Sequence, residues 1–223
     1  MRERYNHKLE KLNSLMAEMC NFCRFAIENS VNALFAENND ESKKYLALVH
    51  NIDRDIDNSE GEIEKLCTNL IICEQPVASD LRTITVALKA VSDLERIGDQ
   101  CSDIAELSGY ISRCSISHKL HLKQMSECVI QMLDMAVLSF AKSDLETARL
   151  VYAKDDEVDA LFDKVKKEII SIISKDDTDA ELLVDLLMVS KYFERIGDHA
   201  ENIAEWVEYS ITGDFVNAIA CTQ

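Results

Sequence analysis

The chain has 223 residues, enough for two compact units of about 110 residues that each bury a hydrophobic core. Five glycines and one proline supply few of the turns that a β-sheet protein needs, so the composition favours long helices. The 41 acidic residues outnumber the 24 basic ones, and the formal charge of −17 disfavours nucleic acid and anionic membrane surfaces as partners.

No apolar run reaches the length of about 18 residues that a membrane-spanning helix needs, and the start, MRERYNHKLE, lacks the apolar core of a signal peptide. We therefore predict a cytoplasmic protein with no direct insertion into a membrane. The eight cysteines are scattered and show no disulfide framework of a secreted protein. We interpret them as small buried apolar residues.

The first half of the chain shows three helical segments. Apolar residues recur at helical spacing from Leu9 onward and predict a first helix of about 30 residues that ends near Asn38. Asn38 and Glu41 form a capping box, which predicts a second helix from about residue 40 to residue 72. Pro76 is expected in the first turn of a third helix that ends near Gly109.

The polar segment RCSIS at 113–117 is predicted to separate two halves, residues 1–113 and residues 114–223. Three further helices are expected after it. The fourth helix shows apolar residues at bundle spacing from Leu122 onward. The capping boxes of Ser143 with Glu146 and of Thr178 with Glu181 place the starts of the fifth and sixth helices. Gly213 is expected to terminate the last helix. The predicted fold is all-α, with six long helices in two tandem antiparallel three-helix bundles.

An internal repeat relates the two halves, because residues 95–106 (ERIGDQCSDIAE) return at 194–205 as ERIGDHAENIAE. Eight of the twelve positions are identical, which indicates duplication of a three-helix unit with a period near 99 residues. Each copy carries acidic or amide residues at intervals of three or four. They are Glu95, Asp99, Asp103 and Glu106 in the first copy, and Glu194, Asp198, Asn202 and Glu205 in the second. Apolar residues occupy the opposite side of each helix, so this acidic stripe is expected on the bundle surface.

Two features favour a functional role for the stripe over an ordinary solvated helix face. Like charges one turn apart repel by about 0.2 to 0.5 kcal/mol per pair, so several in a row indicate compensation by Arg96 and Arg195 or by a bound cation. A glycine also interrupts each helix, at Gly98 and Gly197, and costs about 1 kcal/mol relative to alanine. The glycines predict that a neighbouring helix approaches closely.

Further carboxylates are available on the preceding helix of each half. Residues that share a face are Asp53, Asp57, Glu60 and Glu64 in the second helix, and Asp155, Asp159 and Asp163 in the fifth. If these rows adjoin the stripes, clustered oxygen ligands without sulfur would favour hard cations such as Mg²⁺, Mn²⁺, Ca²⁺ or Fe³⁺.

Enzymatic machinery is not visible in the sequence. No histidine has the Glu-x-x-His spacing of di-iron bundle enzymes, and we expect His199 to be an exposed polar residue. No nucleophile motif, Walker loop or dinucleotide fingerprint occurs. The chain is therefore predicted not to be an enzyme, although a metal-dependent enzyme and a metal-storage bundle stay open as alternatives to a regulator.

Three segments closely resemble the PhoU family: QPVASDLR at 75–82, DLERIGD at 93–99 and FERIGDHAENIAEW at 193–206. The resemblance spans both halves. It implies a cytoplasmic negative regulator of phosphate uptake and of phosphate-starvation signalling, acting as an adaptor between a phosphate ABC transporter and a sensor histidine kinase. A homodimer is a further assembly that we consider for it.

The resemblance also implies multinuclear iron or zinc clusters, held in some members by E/D-x-x-x-D motifs on the bundle surface. The matching metal ligands are Glu95 with Asp99, Glu194 with Asp198, Asp53 with Asp57, and Asp155 with Asp159, each stripe being extended by Asp103 or Asn202. Because Asn202 removes one negative charge from the second site, we expect the two sites to differ in occupancy. The identity of the metal is open, since Mg, Mn, Ca and Ni also suit carboxylate ligands.

Overall fold

The computed structural model describes residues 2–112, 121–173 and 179–214. These residues form six long α-helices and contain no β-strand. The helices are α1 Arg2–Leu34, α2 Asn39–Glu74, α3 Ser79–Ile111, α4 Leu122–Lys142, α5 Leu145–Ile173 and α6 Ala180–Thr212. The predicted all-α fold is confirmed, whereas the predicted boundary segment at 113–117 lies outside the described residues.

Two of the predicted helix ends are formed as the sequence indicates. The Asn38 side chain accepts a hydrogen bond from the Glu41 amide at 2.9 Å and so caps the start of α2. The Glu41 carboxylate reaches back and accepts one from the Glu37 amide at 3.0 Å. At the end of α6, Gly213 adopts the left-handed conformation, with φ of 83°, and its N–H donates to the Tyr209 carbonyl at 2.9 Å.

The predicted start of α3 is wrong by three residues. The helix begins at Ser79 rather than at Pro76. Gln75 and Ala78 adopt φ angles of 47° and 49°, which no α-helix tolerates, so the chain forms a short connection at 75–78. The proline therefore belongs to the connection and not to the first helical turn.

The caps of α5 and α6 also differ from the prediction. Asp144 caps α5, since its carboxylate accepts a hydrogen bond from the Thr147 amide at 3.2 Å, while Ser143 ends α4 in the left-handed conformation. Asp179 caps α6 by accepting a hydrogen bond from the amide two residues later at 3.1 Å. The predicted cap at Thr178 lies outside the described residues.

Each half is a three-helix bundle with an apolar core. The helices α1, α2 and α3 pack together, and so do α4, α5 and α6. The core positions of the third helices are Leu94, Ile97, Cys101 and Ile104 on α3, and Phe193, Ile196, Ala200 and Ile203 on α6, all fully buried. These are the residues that the repeat places opposite the acidic stripe. Of the described cysteines, four are buried as predicted, while Cys73 is exposed and Cys128 is half-buried.

The two halves pack against each other mainly through α3 and α6 and to a lesser extent through α1 and α4. The first pair runs antiparallel, because Arg82 near the start of α3 lies beside Gly213 and Tyr110 near its end donates a hydrogen bond to Asp179. No helix in the described ranges is both long enough and apolar enough to cross a membrane.

A buried polar contact lies in the middle of the interface between α3 and α6. His199 Nδ1 donates to Asp93 Oδ1 at 3.0 Å, and Asn202 Nδ2 donates to the same oxygen at 3.3 Å. His199 is only 8% exposed, so the expectation of an exposed histidine is wrong. The physical reason is that this side of α6 faces the other half of the protein instead of solvent.

Candidate functional site

Gly98 and Gly197 lie where the third helix of each half meets the preceding helix. A Cβ atom on Gly98 would lie 2.9 Å from both Asp53 Oδ1 and Ile56 Cδ1, and one on Gly197 would lie 3.2 Å from Asp155 Oδ1. Each glycine thus leaves room for an aspartate of the neighbouring helix, as the sequence predicts. The acidic rows on adjacent helices meet in both halves.

Five carboxylates form what we call the first carboxylate cluster. They are Asp53, Asp57 and Glu60 on α2, and Glu95 and Asp99 on α3. Burial, followed by repulsion from Asp99 and Glu60, raises the pKa of Glu95 to about 7, and Arg96 opposes this rise. Burial likewise raises the pKa of Asp53 and of Glu60, with Asp99 adding repulsion to both. These carboxylates therefore lie close enough to repel one another where α2 meets α3.

The second carboxylate cluster has the same size but a different composition. It consists of Asp155 and Asp159 on α5, and Glu194, Asp198 and Glu201 on α6. Burial, followed by repulsion from Asp159 and Asp198, raises the pKa of Asp155 to about 6. Burial, followed by repulsion from Asp155, raises the pKa of Glu201 to about 7. Asp155 Oδ1 is itself buried and has no hydrogen-bond partner.

Two pairs of duplicated positions, in or beside the clusters, differ in charge between the halves. Glu60 of the first half corresponds to Phe162 of the second, and Ser92 corresponds to Lys191. Lys191 forms an ion pair with Glu194, and its ammonium lies 5.6 Å over the Phe162 ring. The second cluster therefore has a partly exposed cation beside it, at a position where the first has a neutral hydroxyl.

Glu201 is a member of the second cluster that was not predicted from the sequence. It stands where the first half has Ser102, outside the strict repeat of acidic positions. The available signal was its spacing, three residues after Asp198 and four before Glu205, which places it on the same helix face. Glu60 was recognised as part of an acidic row but was not predicted to be a ligand.

Asp103 and Asn202, which were predicted to extend the two sites, lie on the side of the helices that faces the other half. Asn202 is bonded to Asp93 across the interface. Burial and then Glu106 raise the pKa of Asp103, while Arg195 of α6 opposes the rise. The structure brings the other predicted ligands into the two clusters. Among the described residues, no three His, Cys, Asp or Glu side chains converge on one point as metal ligands.

The raised pKa values predict that the metal-free protein loses stability as the pH rises. A carboxyl with a higher pKa in the folded chain than in the unfolded chain binds its proton more tightly when folded. For Glu95 and Glu201 the free energy of unfolding therefore falls as the pH rises from 4.5 through about 7. In EDTA we expect a higher thermal midpoint at pH 5.5 than at pH 8.

The control for this pH profile must remove charge without touching a cluster. Replacing both Glu95 and Glu201 by glutamine should flatten the profile between pH 5.5 and pH 8, whereas Glu10→Gln should not, because Glu10 has a side chain that is 79% exposed. Adding 0.5 M NaCl in all samples screens the long-range repulsion of the acidic surface. An equally steep profile in the double variant would show that other groups cause it.

The geometry defines a class of protein: an internally duplicated, six-helix, all-α protein whose halves each hold five carboxylates between two helices. The family model for the PhoU domain matches the chain twice, over residues 16–108 and 122–207. The chain therefore belongs to the PhoU family, as its motifs indicated.

Two relatives match nearly the whole chain. It is 34% identical to the phosphate-specific transport system accessory protein PhoU homolog of Clostridium acetobutylicum, over 97% of this chain and 98% of the relative. The corresponding homolog of Pseudomonas aeruginosa is 30% identical, over 99% of this chain and 90% of the relative.

Two crystal structures share the fold. PhoU from Pseudomonas aeruginosa superposes with a TM-score of 0.84 at 29% identity, covering 94% of this chain and 100% of that one. The phosphate transport system regulatory protein PhoU from Streptococcus pneumoniae gives 0.82 at 25% identity, covering 95% and 99%. These names describe accessory and regulatory proteins, which confirms the prediction that the chain is not an enzyme.

Proposed function

We propose that this chain is a cytoplasmic accessory regulator of a phosphate-specific transport system and that it represses phosphate uptake and phosphate-starvation signalling. The observation that carries the proposal is the 34% identity to an accessory protein of such a system over 97% of the chain. In this proposal the protein, as a monomer or a homodimer, is an adaptor between a phosphate ABC transporter and a sensor histidine kinase. Its charge of −17 favours partners with basic surfaces.

We also propose that the two carboxylate clusters bind metal ions, iron or zinc first and Mg, Mn, Ca or Ni as alternatives. Three features support the fit. The donors are all carboxylate oxygens, the spaces beside Gly98 and Gly197 would be filled by a Cβ atom, and Asp155 Oδ1 is buried without a hydrogen-bond partner. In each half the carboxylates of the two helices lie in two facing rows. Their side chains must turn toward each other to share an ion.

The residues that would hold the metal ions differ slightly from those predicted from the sequence. They are Asp53, Asp57, Glu60, Glu95 and Asp99 in the first cluster, and Asp155, Asp159, Glu194, Asp198 and Glu201 in the second. Bound cations supply positive charge that relieves the repulsion within each cluster and tie α2 to α3 and α5 to α6. Ion binding would therefore stiffen each half and make its acidic face less negative, which changes what that face can attract.

Deletion of the gene tests the regulatory role. We expect faster phosphate uptake and active phosphate-starvation genes in phosphate-replete medium, because the repressing adaptor is absent. The measurements are uptake of radiolabelled phosphate and a starvation-gene reporter, with the wild-type gene supplied in trans as the control. Normal uptake together with a silent reporter in the deletion strain would contradict the proposal.

A further inference from the structure

Lys191 is a basic side chain held at the edge of the second carboxylate cluster. Its ammonium donates to Glu194 Oε2 in an ion pair and lies 5.6 Å from the centre of the Phe162 ring. The Glu194 side chain is only 14% exposed. Among the described residues, no other Lys, Arg or His forms an ion pair with a member of either carboxylate cluster. Both contacts hold a positive charge against a carboxylate that we propose as a metal ligand.

The charge of Lys191 also acts on two further carboxylates of the cluster, one on each helix. Burial, followed by repulsion from Glu194, raises the pKa of Asp198 on α6, and Lys191 opposes the rise. Burial and then Glu194 likewise raise the pKa of Asp159 on α5, and Lys191 opposes this rise as well. Lys191 therefore offsets part of the repulsion between α5 and α6 without any bound ion.

The internal duplication shows that the three-helix unit does not require this lysine. The first half carries Ser92 at the position of Lys191 and Glu60 at the position of Phe162. Burial, followed by repulsion from Glu64, raises the pKa of Glu60, and the Ser92 hydroxyl opposes the rise. The first half thus has a carboxylate beside a hydroxyl where the second has an aromatic ring beside an ammonium. An aromatic ring is a neighbour that stabilises an ammonium, so the two substitutions belong together.

Asn202, which the sequence suggested as the reason for unequal sites, does not lie in the second cluster. It is bonded to Asp93 across the interface of the halves. The repeats also share an arginine after their first glutamate, Arg96 and Arg195, so the arginines are common to both halves. Lys191, in contrast, contacts the second cluster directly and has no basic counterpart in the first half.

We infer that Lys191 is a built-in counter-ion that competes with metal for Glu194 and lowers the metal affinity of the second cluster. The inference rests on the proposed metal binding. Without an ion, the ammonium takes part of the neutralising role that a cation would have. An ion that binds Glu194 must break the ion pair and move the ammonium away, because the two positive charges repel each other. The second cluster therefore fills at a higher metal concentration than its carboxylates alone would require.

The test measures zinc binding to the second cluster alone by isothermal titration calorimetry. Asp99→Asn removes binding at the first cluster, and the protein that also carries Asp198→Asn is the blank for zinc bound elsewhere. Lys191→Met keeps the length of the side chain and removes the charge, so we expect the dissociation constant to fall about tenfold. Lys191→Arg keeps the charge and should leave the constant unchanged within about threefold. The control Lys89→Met removes a lysine that lies 5.8 Å from the centre of the Trp206 ring, outside both clusters, and should have no effect.

Thermal unfolding of the same proteins separates this role from a merely structural one. In EDTA, Lys191→Met should lower the thermal midpoint, because the carboxylates lose their counter-ion. With zinc, the same variant should gain more stability than the protein that keeps Lys191, because it binds the ion more tightly. A structural role alone would lower the midpoint equally with and without zinc. The reverse change, Ser92→Lys in the Asp198→Asn protein, should weaken zinc binding at the first cluster about tenfold.

The outcomes distinguish this inference from the proposed metal binding. If neither cluster binds zinc, or Fe²⁺ under nitrogen, the metal proposal itself fails. If the second cluster binds zinc and Lys191→Met leaves the affinity unchanged or weakens it, the inference is overturned while the metal proposal stands. Equal tightening by Lys89→Met would show a general effect of net charge and would also overturn the inference.

Discussion

Replacing both Asp99 and Asp198 by asparagine is expected to remove most of the metal that the wild-type protein binds, while the helical fold stays intact. Each aspartate is exposed and contributes charge to one cluster, Asp99 to the first and Asp198 to the second. Elemental analysis after reconstitution with iron or zinc should find ions in the wild type and few or none in the double variant. Circular dichroism checks the fold.

The stability of the two proteins should change in opposite directions with metal. Without metal, the double variant should be slightly more stable, because neutralising one member of a like-charge pair relieves about 0.2 to 0.5 kcal/mol. With metal at 100 times the dissociation constant, the wild type gains about 2.7 kcal/mol, which raises the thermal midpoint by roughly 5 to 10 °C. The double variant should gain little.

Asp103→Asn provides the matched control for this experiment. The sequence predicts Asp103 as a ligand, whereas the structure places it toward Arg195 at the interface of the halves, so the variant should keep its metal. The single variants Asp99→Asn and Asp198→Asn should also differ from each other in metal content. The reason is that the ion pair of Lys191 with Glu194 leaves less uncompensated charge in the second cluster than in the first. A wild-type protein that takes up no metal under any of these conditions would remove the metal proposal.

The sequence was sufficient for the fold because the fold repeats a simple pattern. Helical spacing of apolar residues identified six helices, and the repeated ERIGD segment identified the duplication. The paired glycines, Gly98 and Gly197, also predicted the close approach of α2 to α3 and of α5 to α6. Each of these patterns is either local in the sequence or occurs in both halves, so a single sequence is enough to detect it.

Contacts between the halves could not be predicted in the same way. Periodicity shows which side of a helix is apolar, but it does not show what covers the polar side. The packing of α3 on α6 buries His199 and draws Asn202 toward Asp93, away from the second cluster. The sequence shows that Glu60 is replaced by Phe162 and Ser102 by Glu201 in the second half. Whether these residues belong to a carboxylate cluster depends on which faces of the helices adjoin, and the sequence does not show that.

Replacing Gly98 by valine is expected to destabilise the protein by about 3 kcal/mol, which is a loss of roughly 6 to 12 °C in the thermal midpoint. The first added carbon alone would lie 2.9 Å from Asp53 Oδ1 and from Ile56 Cδ1, and Ile56 is fully buried. The two methyl groups of valine crowd the Asp53 carboxylate and the buried Ile56 side chain, which must shift where α2 contacts α3. That displacement also opens the first cluster, so metal binding there should weaken.

A series of alanine variants at three helical glycines separates this crowding from the intrinsic preference for helix. Gly61 has nothing within 4 Å of an added Cβ atom, so Gly61→Ala should stabilise the protein by about 1 kcal/mol. Gly197→Ala should be nearly neutral, because it meets Asp155 Oδ1 at 3.2 Å and otherwise only the flexible end of Met132 at 3.6 Å. Gly98→Ala should destabilise, since crowding of about 1 to 3 kcal/mol exceeds the helical gain. Equal stabilisation by alanine at Gly61 and at Gly98 would mean that α2 and α3 lie further apart in solution, and that the first carboxylate cluster is wider than described.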